Sequence, residues 1–165
     1  MQLTLAAALA VVAALAEYTI VPYVQIGDAA LQPVLVLAAL WAVVGGLEAG
    51  LASAFVGGLA LDVLSQRPLG ASAFSLLIAV GAASLVGAAL RRARIIAPVI
   101  ATAIASLVYS MLLLFVTSLL IGVATEGAGR MVVPSAVYST VAATAIGPLA
   151  VAMVMRRRDA ERADW

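Results

Sequence analysis

The chain contains no cysteine, no histidine and no lysine among its 165 residues. These absences exclude a disulfide framework, a histidine-based nucleophile pair, a zinc site of thiolates or imidazoles and a lysine Schiff base. No glycine-rich phosphate loop ending in Lys-Ser or Lys-Thr is present, so the chain carries no nucleotide-driven motor of its own. We therefore expect no enzyme activity, no catalytic residue, no metal and no cofactor.

Charged and aromatic residues are also scarce, at 10% and 5%, whereas hydrophobic residues make up 65% of the chain. A helix that crosses the ~30 Å hydrocarbon core of a bilayer needs about 20 mostly apolar residues. Six such helices would use roughly 120 residues and leave only short connections. The composition therefore predicts an all-α, polytopic membrane protein with a single integral membrane domain, 1–165. The net charge of +1 gives no indication of nucleic acid binding.

Glycine, proline and charged residues divide the apolar sequence into six predicted transmembrane helices. The segment 33–64 is too long for one span and slightly short for two, and Gly45-Gly46 is the natural place for a turn within it. Two full spans and a re-entrant hairpin both remain open there. A loop is expected from Val21 to Gln32 and a tight turn from Ser65 to Gly70. The predicted spans are 3–20, 33–44, 47–64, 71–90, 95–123 and 131–155, followed by a cytoplasmic tail, 156–165.

Arginine placement predicts the orientation. Arg91, Arg92 and Arg94 lie between the fourth and fifth spans, and Arg156–Arg158 follow the sixth. Because short cytoplasmic loops carry the excess of arginine, both clusters should be cytoplasmic. Six spans then place the N-terminus and the C-terminus inside the cell, in a multi-pass membrane protein. Merging 33–64 into one span would instead turn the N-terminus outward.

Small residues recur at four-residue spacing on three of the predicted helices. Helices associate in lipid through close backbone approach at such residues. We expect these stripes to pack helices within the bundle, and the alternative is docking of a partner's transmembrane helix. The first helix is the best candidate for that alternative, since an N-terminal helix is peripheral in many bundles. The stripes are Ala6, Ala10 and Ala14; Gly46, Gly50, Ala54 and Gly58; and Ala71, Ser75, Ala79, Ala83 and Gly87.

Three carboxylates, Glu17, Glu48 and Asp62, lie within or at the ends of predicted spans. Ionisable groups in membranes are costly and are often functional. Because all three lie close enough to a span end to reach the interface, a solvated or locally paired carboxylate is the simpler interpretation. Asp62 is the strongest exception, because it ends a small-residue stripe and precedes Arg67 by five residues. It could brace the turn by accepting backbone N–H bonds or by pairing with Arg67.

The third and fourth predicted spans carry a run that resembles the rod shape-determining protein MreD family. That family shows a glycine-rich third span ending in Asp and Ser, followed by Pro-Leu-Gly at the start of the fourth span. The resemblance covers nearly the whole chain, and its most specific part is the block 57–70. The matching residues are Gly50-Leu51, the run from Phe55 to Ser65 that includes Gly58 and Asp62, Pro68-Leu69-Gly70, Ala73, Pro33, Trp41, Arg91-Arg92, Ser106-Leu107, Tyr109, Pro134, Tyr138 and Pro148.

The resemblance implies a non-enzymatic membrane subunit of the bacterial cell-elongation (rod-shape) machinery that supports peptidoglycan synthesis. Its implied partners are the single-span scaffold MreC and, less directly, RodA, the elongation penicillin-binding protein and MreB, besides membrane lipid. The family also looks similar in topology to the substrate-capture components of energy-coupling-factor vitamin transporters, which is the alternative function. The structural or partner-binding candidates are Gly50, Ala54, Gly58, Asp62, Ser65, Arg67, Pro68, Gly70, Tyr109, Tyr138 and Pro148.

Overall fold

A computed structural model describes residues 2–24, 31–90, 97–121, 137 and 139–141 of the chain. Over these residues the protein is helical and has no β-strand. The helices are α1 (Gln2–Thr19), α2 (Val21–Val24), α3 (Pro33–Leu40), α4 (Leu47–Leu64), α5 (Ala71–Ala89) and α6 (Ala97–Ile121), and a π-helical turn (Trp41–Gly45) follows α3. The prediction of an all-α chain is therefore confirmed for the described residues.

The predicted bounds of the third span, 47–64, coincide with α4, and those of the first, fourth and fifth spans differ from α1, α5 and α6 by one or two residues. The sixth predicted span, 131–155, lies mostly outside the described residues. The prediction of a loop beginning at Val21 was wrong, because the short helix α2 starts there. Pro22 lacks the backbone N–H that a continuation of α1 would need. Proline is nevertheless well accommodated in the first turn of a new helix, which here is α2.

The segment 33–64 folds as a hairpin of two helices that meet at Gly46, as the glycine pair predicted. Gly46 has φ +116° and ψ 151°, a conformation that residues with a β-carbon rarely adopt. Its N–H donates to the carbonyl of Trp41 at 2.8 Å, which closes the π-helical turn. The close approach of Gly50 to Ala42 then holds the two arms together, since a β-carbon on Gly50 would lie 2.7 Å from the Ala42 Cα.

Paired contacts give the relative directions of the helices. The Ser53 hydroxyl donates to the carbonyl of Ala6, and Ala10 lies against Gly57 one turn further along, so α1 and α4 run parallel. Gly57 also lies against Val34 and Gly50 against Ala42, so α3 and the turn that follows it run antiparallel to both. Helix α3 contacts α1, α4, α5 and α6 and is buried at the centre of the bundle.

The three small-residue stripes pack inside the protein, apart from Gly46, which is exposed at the turn of the hairpin. Ala54 on α4 and Ala79 on α5 are fully buried. Ala6, Ala10 and Ala14 on α1 are fully buried as well, against α4. The expectation that the stripes pack helices within the bundle is therefore confirmed for α1. The alternative of a partner's helix on this stripe is wrong, because α4 presents Ser53 and Gly57 to that face and takes the position a partner would need.

Length and composition make three of the described helices long and apolar enough to cross a membrane. Their spans are Leu47–Leu64, Ala71–Ala89 and Val99–Leu120. Two shorter apolar helices, Leu3–Thr19 and Pro33–Val43, accompany them. The end of the bundle where α1 and α4 finish and α3 and α5 begin is called the Asp62 end below, and the opposite end is the Gly46 end.

Candidate functional site

The carboxylate of Asp62 is fully buried between α4 and α5. Its Oδ2 accepts the N–H of Gly70 at 2.8 Å, and its Oδ1 accepts the N–H of Ser72 at 2.9 Å. Gly70 is the N-cap residue of α5 and has no side chain that could cap the helix itself. Asp62 therefore supplies the cap from the preceding helix, and its negative charge lies at the positive end of the α5 dipole.

The turn that follows Asp62 is fixed by a second set of backbone bonds. The N–H of Arg67 donates to the Asp62 carbonyl at 3.0 Å and the N–H of Gln66 to the Val63 carbonyl at 3.5 Å, the pair of bonds that defines a Schellman motif. Gln66 takes the left-handed position of that motif, with φ +52°. The N–H of Ala71 donates to the Pro68 carbonyl at 3.1 Å and begins α5. Both ends of the Ser65–Gly70 turn are therefore held.

Two interactions were predicted for Asp62, acceptance of backbone N–H bonds and pairing with Arg67. The structure contains the first of them. The Arg67 side chain is exposed at the surface of the turn. The other predicted turn residues, Ser65, Pro68 and Gly70, lie together beside Asp62, and Gly58 packs one turn below on the backbone of Ala73. Ala54 and Gly50 lie further along α4 toward the Gly46 end, where they contribute to helix packing.

Tyr109 of α6 reaches the same end of the bundle. Its side chain is 3% exposed, and its phenol lies beside the Ser72 hydroxyl. Glu17, Asp62 and Arg67 lie at the same end of the bundle as this phenol. The Ser72 hydroxyl is buried and lacks a partner with full hydrogen-bond geometry, so the contact with Tyr109 is polar but weak. Tyr109 thus extends the polar layer from α4 and α5 to α6.

A second set of polar contacts joins α1, α3 and α6. Oε2 of Glu17 accepts the N–H of Val34 at 3.1 Å. The Gln32 amide donates through Nε2 to Ser110 at 3.2 Å and accepts through Oε1 from the Ser106 hydroxyl at 2.9 Å. In a hydrocarbon environment these bonds replace the water that would otherwise satisfy the N–H and amide groups.

Sequence reasoning missed the contributions of Gln32, Ser106 and Ser110 to this layer. The one available signal was the spacing of Ser106 and Ser110, which places both hydroxyls on one face of α6. Glu48, by contrast, is exposed at the Gly46 end, in line with the interpretation as a solvated carboxylate. Tyr138 and Pro148, the remaining candidates, lie outside the described residues, as do both arginine clusters.

The described residues form apolar helices that are joined at one end by a layer of buried polar side chains. This arrangement is that of an α-helical integral membrane protein. The family model described as rod shape-determining protein MreD matches residues 1–157. The chain belongs to this family, as the run from Gly50 to Gly70 indicated. No curated protein and no solved structure matches it. The comparisons give no support to the vitamin-transport alternative.

Proposed function

We propose that this chain is a non-enzymatic subunit of the rod-shape machinery in the cytoplasmic membrane, and that it binds the single-span scaffold MreC. Through MreC it would act with RodA, the elongation penicillin-binding protein and MreB in peptidoglycan synthesis. Membership of the rod shape-determining family supports the assignment to this machinery. The observation that carries the binding role is the rigid Ser65–Gly70 turn, which is braced by Asp62 from within the bundle.

The proposed topology has six spans with both termini in the cytoplasm. The alternating directions of α1, α3 and α4 support it, because α3 and α4 form an antiparallel pair rather than one continuous span. Under this topology the arginine clusters at 91–94 and 156–158 are cytoplasmic. The Asp62 end then faces outward, where the part of a single-span scaffold outside the cell would meet it.

The Ser65–Gly70 turn has the properties of a preformed contact surface. Leu69 is 75% exposed at its tip, and Val63 and Phe74 flank it with 65% and 55% of their side chains exposed. A surface that is already ordered loses little conformational entropy when a partner binds, so its apolar contacts contribute more fully to affinity. We propose this patch, together with Ser65, Arg67 and Pro68, as the contact region for the scaffold.

The proposal of a non-enzymatic role draws on the composition and on how the buried polar groups are engaged. With no histidine, cysteine or lysine, the chain lacks the usual nucleophile–base combinations. The Asp62 and Glu17 carboxylates both accept backbone N–H bonds. Because both carboxylates cap helices, we assign them a structural role.

Substitutions at Asp62 and Leu69 test the binding role by separating loss of fold from loss of contact. Asp62→Ala leaves two helix N–H groups without an acceptor and should cost about 3 kcal/mol, lowering both folded yield and MreC retention. Asp62→Asn keeps one acceptor oxygen and should be milder in both measurements. Leu69→Asp changes only the exposed tip and should lower retention alone.

The measurements are folded yield in detergent and recovery of MreC in a pull-down from membranes. Leu85→Ala serves as a control, because this residue is 72% exposed near the end of α5 that lies at the Gly46 end, away from the turn. If the two single variants Asp62→Ala and Leu69→Asp both retained MreC fully, this result would contradict the assignment of the contact to this turn.

A further inference from the structure

Glu17 and Asp62 occupy the same position in two helices of the same length. Helices α1 and α4 each have 18 residues, and each carboxylate lies two residues before the last residue of its helix. A negative charge in the last turn is unfavourable for its own helix, because the carbonyl end of the helix dipole is negative. The repeated placement therefore requires a compensating partner outside α1 and α4.

The compensating partner is in both cases the start of the helix that returns antiparallel to the first. Val34 is the second residue of α3 and donates its N–H to Glu17, and Ser72 is the second residue of α5 and donates its N–H to Asp62. Neither N-cap residue, Gln32 or Gly70, makes a side-chain capping bond. Each second helix thus depends on the preceding long helix for its cap.

The two hairpins also share an orientation. Helices α1 and α4 lie side by side and parallel, and α3 and α5 both return antiparallel to them. The connections differ, since the α1–α3 connection is longer and contains α2, whereas the α4–α5 turn is short. The returning helices also differ, with 8 residues in α3 and 19 in α5. The similarity therefore lies in α1 and α4, in the orientation of the two hairpins and in their capping contacts.

We infer that α1–α3 and α4–α5 are two copies of one carboxylate-capped hairpin, and that Glu17 is the positioning residue of the first copy. Glu17 fixes the start of α3 beside the end of α1. The neighbouring Gln32 is then placed between the Ser106 and Ser110 hydroxyls. Through α3, Glu17 sets the contact between the first hairpin and α6, as Asp62 sets the turn of the second hairpin.

Hydrogen exchange of the full chain in lipid nanodiscs tests this inference, because an amide at the second position of a helix has no acceptor within its own helix. Glu17→Ala should accelerate exchange of the Val34 amide by about tenfold or more, and leave the Gly70 and Ser72 amides within about twofold of the unmodified chain. Asp62→Ala should have the reverse effect. Glu17→Gln, which keeps an acceptor oxygen, should retain most of the protection at Val34.

Two further variants keep the test decisive. Glu48→Ala removes an exposed carboxylate at the Gly46 end and should alter none of the three amides. Should Glu17→Ala fail to fold, Glu17→Asp withdraws the carboxylate by one methylene while keeping its charge, and should accelerate exchange at Val34 alone. Unchanged protection of Val34 in these Glu17 variants would overturn the inference. Equal acceleration at all three amides would also overturn it, because it would indicate general loosening of the bundle.

Discussion

Gly58 and Ala73 bring α4 and α5 into direct backbone contact, so that a β-carbon on Gly58 would lie 2.7 Å from the Ala73 nitrogen. The contact lies one turn below the Asp62 cap. It keeps the two helices close enough for the carboxylate to accept hydrogen bonds from the Gly70 and Ser72 amides. Close packing and capping are thus linked at this point, because the polar bonds at the Asp62 end form only while the two backbones remain together.

The first prediction concerns this packing. Gly58→Ala should destabilise the bundle by about 1–3 kcal/mol, because the added methyl group meets backbone that cannot move aside. Gly58→Leu should cost more than Leu59→Ala, which removes volume from a half-buried position. Unfolding in detergent measures both effects. The matched control is Gly81→Ala, because position 81 has space for a β-carbon. The stability of this variant should equal that of the unmodified protein or exceed it by up to about 1 kcal/mol. Equal responses at positions 58 and 81 would place the tight contact elsewhere.

The second prediction concerns the two left-handed residues of the Ser65–Gly70 turn. Gln66 has φ +52° and Gly70 has φ +96°. Gln66→Gly should stabilise the protein by about 0.5–1 kcal/mol, because glycine removes the strain of a side chain in this conformation. Part of this stabilisation is offset by the greater conformational entropy of glycine in the unfolded chain. Gly70→Ala should destabilise it by about 1–2 kcal/mol, although no neighbouring atom obstructs the new methyl group. Denaturant midpoints measure both effects, and a lower midpoint for Gln66→Gly together with a higher midpoint for Gly70→Ala would contradict these left-handed conformations.

The third prediction concerns the membrane topology. The chain has no cysteine of its own, so single cysteines report accessibility without background. Cysteines at Leu69 and Tyr23, which are 75% and 90% exposed, should react with an impermeant reagent from outside the cell. Cysteines at Arg92 and Arg157 should react only after the membrane is opened. Labelling of position 92 from outside would contradict the orientation, and labelling of position 2 from outside would contradict the two-helix hairpin within 33–64.

Much of the helical architecture was predictable because strong local signals coincide with its boundaries. The Gly45-Gly46 pair marked the hairpin, and Pro68 and Gly70 marked the next turn. The bracing of that turn by Asp62 was foreseen as one of two options, since an acceptor near a helix start has few alternative partners in lipid. The family was also predictable, because the run from Gly50 to Gly70 combines several loose motifs at fixed spacing.

Other features were not predictable because they depend on contacts between distant segments. Glu17 and Val34 are separated by 17 positions, and nothing in the intervening sequence indicates that α3 begins beside α1. The stripe on α1 shows that small residues pack against something, but the pattern does not specify which helix supplies the other side. Left-handed geometry at Gln66 was equally hidden, since glutamine has no preference for that conformation.

The shortness of α3 has a consequence for how the chain enters the membrane. The helix and its π-helical turn comprise eight and five residues, well below the ~17–25 residues of a helix that spans a bilayer independently. We therefore expect α3 to be retained at the insertion machinery until α4 has been synthesised, and the two arms to pass into the lipid as one unit. Gly46 would then have a role during biogenesis, because the hairpin must close before α3 can be released into the lipid.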